Sequence, residues 1–87
     1  MKKVVTSSGF TCELPENSMD DMELVDLLCA EFPNESFRES RVLDKLLGNQ
    51  KKALYDHLRE DGRVPASAVH RELMDIFTAF NSEGKNS

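Results

Sequence analysis

Apolar and polar residues alternate from Phe10 to Leu14, and apolar positions then recur at helical spacing as far as Phe80. Val4 to Thr6 and Phe10 to Leu14 are rich in β-branched and aromatic residues and flank Ser7-Ser8-Gly9. That pattern predicts a β-hairpin turning at Ser8-Gly9. Phe10, Cys12 and Leu14 then share one face, with Thr11 and Glu13 toward water. A two-residue loop places Val5 opposite Cys12 on the inner face. A lone hairpin is not stable in water, so this one is expected to lie on a helical body.

Pro15 ends the second strand, and Asn17 or Ser18 is the expected cap of the first helix. Ser18 followed by Asp21 approximates a capping box, and Asp20, Asp21 and Glu23 suit the positive end of the helix dipole. This helix is expected to run to about Phe32, ahead of Pro33, with Met22, Val25, Leu28, Cys29 and Phe32 on its buried face. Leu24 flanks that face and Leu27 points away from it. A second helix begins at Asn34 or Ser36, buries Val42, Leu43, Leu46 and Leu47, and ends at Gly48. A third, capped by Asn49, covers Gln50 to about Asp61, turns Leu54, Tyr55 and Leu58 inward and closes at Gly62. Pro65 opens a fourth helix that ends near Phe80, with Val69, Leu73, Ile76, Phe77 and Phe80 buried. The predicted fold is α+β: an N-terminal hairpin packed on about four short helices. One domain spans residues 1–80, and residues 81–87 form a flexible polar tail.

At 87 residues the chain is long enough for one domain and one core. Its longest apolar runs are two or three residues, far too short to cross a membrane. Lys2-Lys3 is followed by Val-Val-Thr-Ser-Ser and not by an apolar signal-peptide core, so a cytoplasmic location is expected. Charge changes the picture more. From Val4 to Phe37 there is no Lys or Arg, while eight carboxylates occur: Glu13, Glu16, Asp20, Asp21, Glu23, Asp26, Glu31 and Glu35. The remainder is nearly balanced, and the whole carries a net charge of −5. Such a field repels phosphate backbones and anionic lipid and attracts basic protein surfaces.

Catalytic signatures do not accompany it. The sequence has no phosphate-cradling glycine loop, no nucleophile elbow and no paired-histidine zinc motif. His57 and His70 read as surface or boundary residues. Cys12 and Cys29 read as small core residues. The separations of Cys12, Cys29, His57 and His70 (17, 28 and 13 residues) match no usual zinc spacing. The second and third helices, joined through Gly48-Asn49, have a helix-turn-helix outline. However, Lys51, Lys52 and Arg59 are offset by Asp56, Glu60 and Asp61, which argues against DNA contact.

Protein binding is the class that fits. The candidate contact residues are the carboxylates Asp20, Asp21, Glu23 and Asp26, together with Leu27 and Met74, two apolar side chains placed off the predicted buried stripes.

The opening from Lys2 to Leu14 (KKVVTSSGFTCEL) resembles small proteins encoded in the tail-gene clusters of prophages from Gram-positive bacteria. So do the helix start Asp20-Asp21-Met22-Glu23-Leu24, the turn Leu46-Leu47-Gly48 and the stretch Leu58 to Pro65 (LREDGRVP). The similarity spans Lys2 to about Phe80, and its motifs are turns, caps and core positions. It implies a non-enzymatic, tail-assembly-chaperone-like protein in the bacterial cytosol that shields the tape-measure protein while tail-tube subunits polymerise around it. No nucleotide, metal, nucleic acid or membrane is implied, and no particular binding residue. The open alternatives are a small connector subunit of the virion and an acidic inhibitor of a host nucleic-acid-binding protein. Weak self-association fits a chain with four apolar helix stripes. The ending Gly84-Lys85-Asn86-Ser87 has a composition that slippery frameshift codons can encode, although a plain polar tail accounts for it more simply.

Overall fold

A computed structural model describes residues 1–82 as a two-stranded antiparallel hairpin followed by four helices. The strands are β1 (Lys2–Val5) and β2 (Thr11–Leu14). The helices are α1 (Met22–Cys29), α2 (Glu35–Leu47), α3 (Gln50–Leu58) and α4 (Ala66–Ser82). The α+β fold expected from the residue pattern is the fold observed. The fourth helix runs two residues past the expected domain edge at residue 80. The rest of the expected tail, with the frameshift-like ending, lies outside the described residues.

The hairpin loop has three residues, not two. Thr6 N–H donates to the Phe10 carbonyl at 2.9 Å and Gly9 N–H to the Thr6 carbonyl at 3.0 Å, with Gly9 at a φ of 93°. A three-residue loop with glycine at the positive-φ position is a standard hairpin solution. The extra residue moves the register by one, pairing Val4 with Cys12 and Val5 with Thr11. Because strand side chains alternate, that step exchanges faces. Val4 and Thr6 are buried, and Val5 is exposed.

Phe10, Cys12 and Leu14 are buried as their spacing predicts, packed with Leu43, Leu54, Leu73, Ile76 and the rest of one continuous core. Lys2 anchors β1 to the end of α4. Its ammonium donates to the Phe80 carbonyl at 2.9 Å and lies 4.1 Å from the centre of the Phe80 ring. A cation at a helix C-terminus meets the negative end of the dipole. The outer edge of β2 is covered by Gln50, whose amide accepts from Glu13 N–H and donates to the Glu13 carbonyl. Satisfying those backbone groups leaves this part of the edge unavailable for strand pairing.

Asn34 caps α2 by accepting from Ser36 N–H at 2.8 Å. Several expected caps and helix ends change, and α1 stops at Cys29 rather than near Phe32. The cap of α1 is Asp21 rather than Asn17 or Ser18, since residues 15–20 form successive turns in which Ser18 bonds back to Pro15. Asn49 has helical dihedrals and makes no side-chain cap. The third helix stops at Leu58, because Asp61 and Gly62 adopt positive φ in a tight turn that pairs Glu60 with Arg63. No helix among the described residues is long and apolar enough to cross a membrane.

Candidate interaction face on the first helix

Six of the eight residues of α1 are apolar, and they lie on opposite sides of the helix. Leu24 is buried, and Leu27 is half-buried against the core. Met22, Val25, Leu28 and Cys29 are exposed, Met22 to 71%. This reverses the expected orientation. Leu27 is a packing residue and not a free contact residue, while the stripe assigned to the core faces water. Phe32 falls beyond the helix and is half-buried.

Two cations of α2 orient the helix. Lys45 lies 2.8 Å from a Glu23 oxygen and 3.3 Å from Asp21, at the N-terminal end of α1. Arg38 donates to the Ala30 carbonyl at 2.9 Å, at the C-terminal end. The two helices therefore run antiparallel, with each end of α1 tied to α2. Turning Glu23 toward Lys45 places Leu24 and Leu27 inward and leaves Met22, Val25 and Cys29 outside, given about 100° per residue. Apolar residues lie on both sides of Glu23 and Asp26, so the spacing within α1 alone does not select the buried side.

The four candidate carboxylates thus divide into two pairs. Asp21 and Glu23 are engaged by Lys45, whereas Asp20 and Asp26 are exposed without an ion-pair partner among the described residues. Burial tends to raise the Asp21 pKa, but the Glu23 N–H and Lys45 outweigh it and hold the carboxyl below its ordinary value. Glu23 and then Asp21 push the Lys45 pKa up. Met74, beside the buried stripe of α4, is exposed.

Cys12 and Cys29, both expected in the core, part company. Cys12 is buried, and burial followed by the Glu72 charge raises its pKa. Cys29 is an exposed thiol on the outer face of α1.

Two buried carboxylates were not singled out from sequence. Glu72, 4% exposed, accepts from Thr6 Oγ1 at 2.5 Å and from Ser8 Oγ at 2.7 Å. Ser8 Oγ also lies 3.1 Å from His57 Nε2, but its proton is directed to Glu72, and His57 Nε2 approaches the Ser8 carbonyl as well. A serine whose proton is already given to a carboxylate, with its histidine aimed at a backbone oxygen, lacks the nucleophile–base–orienter order of hydrolytic triads. The cluster pins the hairpin turn to α4, assisted by Ser7, whose N–H and hydroxyl both donate to Asp75.

Glu39, buried on α2, pairs with His70 Nδ1 on α4. With Glu35 these two offer three ligand atoms within 4.8 Å of one another. The same geometry is that of an ion pair, which supplies the buried Glu39 with its counter-charge. The hydrogen bond to Glu39 and then its charge raise the His70 pKa, and the Glu35 charge adds to this.

Compared with known proteins, the chain matches no family model, no curated protein and no solved structure.

Proposed function

We propose that the chain is a non-enzymatic protein-binding module that shields an apolar segment of another polypeptide through the outer face of α1. The carrying observation is that Met22, Val25, Leu28 and Cys29 are exposed together on one short helix whose ends are fixed to α2. Methionine and leucine side chains adapt to varied apolar surfaces, which suits weak, displaceable contacts. The exposed carboxylates Asp20 and Asp26 beside the face add long-range attraction for a basic partner.

The partner favoured by the sequence resemblance is a phage tape-measure protein in the bacterial cytosol. Covering it reversibly would keep it soluble until tail-tube subunits replace the shield. Co-expression tests this reading. The tape-measure protein of the same gene cluster should remain soluble with the wild-type chain and precipitate with the Met22→Ser/Val25→Ser variant. Equal solubility with both, or precipitation with both, overturns the assignment. Capture of tail-tube protein instead supports a connector subunit, and capture of a host nucleic-acid enzyme supports an acidic inhibitor. Reversing Asp20 and Asp26 to lysine should slow association most at low salt, where screening is least.

A further inference from the structure

The exposed face of α1 has a definite shape. Met22, Val25 and Cys29 fall within about 60° of one another and span about 10 Å along the axis, with Leu28 widening the stripe. An apolar ridge of this form packs naturally against the apolar side of another helix, read at the same helical spacing.

Its charge is equally definite. Asp20 precedes the helix, Asp26 borders the stripe and Glu31 follows the helix, all exposed. No cation occurs between Val4 and Phe37, and the Lys45 charge is committed to Asp21 and Glu23. Two further cations of α2 lie near α1: Arg38, whose guanidinium is given to the Ala30 carbonyl at the C-terminal end, and Arg41. Arg41 lines the groove between α1 and α2 with Leu27, Asp44 and Lys45, on the side of α1 turned away from the stripe.

We infer that α1 docks an amphipathic helix of a partner protein whose apolar stripe is flanked by lysine or arginine. The inference rests on the reading of α1 as the shielding face and adds the chemistry of what it shields. A second copy of this chain is the disfavoured occupant. Face-to-face pairing would oppose Asp20, Asp26 and Glu31 of one copy to those of another, on molecules each carrying −5. Like-charge juxtaposition of that kind opposes association.

The test uses the full chain with three synthetic amphipathic helices of identical leucine stripe, flanked by lysine, glutamine or glutamate. Binding is read by anisotropy and by the rate at which a maleimide alkylates Cys29. The Leu–Lys helix should bind about tenfold more tightly than the Leu–Gln helix at low salt, with the difference shrinking as salt rises. It should also slow Cys29 alkylation, and the Leu–Glu helix should do neither.

Val25→Asp, at an exposed site, should keep its helical circular dichroism and lose binding despite its added negative charge. Thr78→Asp, at an exposed site on α4, should bind as wild type does. Equal affinity for the Leu–Lys and Leu–Gln helices overturns the charge inference and leaves the shielding reading standing. Failure of all three peptides to protect Cys29 overturns both. Tighter binding by Val25→Asp would reduce the effect to non-specific attraction and overturn the docking site. A dimer that protects Cys29 without peptide would make a second copy the occupant.

Discussion

Leu24 and Val25 are consecutive in the chain, yet Leu24 is 2% exposed and Val25 is 41% exposed on the other side of α1. Leu24→Ala is expected to cost about 2–5 kcal/mol, the range for a buried leucine. Val25→Ser should change stability by less than about 0.5 kcal/mol. Urea titration of the two variants decides it. Comparable losses would mean that α1 buries both sides.

The two thiols should behave as differently as their surroundings. Cys29 is expected to react with a maleimide in the native protein, whereas Cys12 should react only on denaturation, being buried with a raised pKa. Intact-mass analysis should show one adduct in buffer and two in denaturant. Two adducts in buffer would place Cys12 at the surface.

Glu72 accepts hydrogen bonds from the Thr6 and Ser8 hydroxyls across more than sixty residues of sequence. Hydrogen bonds to a charged group are worth about 1.5–3 kcal/mol where removal leaves a buried partner unmet. Glu72→Ala is expected to destabilise by about that amount and to raise hydrogen exchange in the hairpin turn first. A variant as stable as wild type would show that the turn is held by other contacts, such as Ser7 to Asp75.

His70 supplies a pH dependence. Its folded pKa lies above the ordinary value of 6.5, held up first by the hydrogen bond to Glu39. The folded state therefore binds the proton more tightly than the unfolded chain does. The associated stability is fully present below pH 6.5 and is lost as pH rises through the folded value. The denaturation midpoint should fall from mildly acidic to mildly alkaline pH in wild type, and His70→Gln should flatten that decline. Parallel profiles would exclude the pair as the cause. At the acid end the sign reverses. Hydrogen bonds from the Ser7 hydroxyl and N–H hold the Asp75 pKa below 3.8, so its contribution is lost as pH falls through that lowered value.

Much of the fold follows from local pattern because several elements have only one side suited to burial. Phe10, Cys12 and Leu14 alternate with polar residues, so any packed hairpin turns that face inward. In α2, Val42, Leu43, Leu46 and Leu47 are apolar amid charge, and α4 presents Val69, Leu73, Ile76 and Phe80 in the same way. Those faces and the antiparallel hairpin were legible from residue order. The acidic bias of residues 4–37 was legible too.

Tertiary structure decided the rest, wherever local preference was evenly matched or the partner was distant. Helix α1 is apolar on both sides, so its spacing favoured the longer stripe, but Lys45 and Arg38 of α2 tie it with Leu24 and Leu27 inward. The hairpin loop accepts two or three residues, and the choice of three exchanged Val4 for Val5 in the core. Glu39 and Glu72 are buried because His70, Thr6 and Ser8 meet them from remote parts of the chain. Carboxylates are rarely buried without such partners, and no periodicity within one helix announces a partner on another.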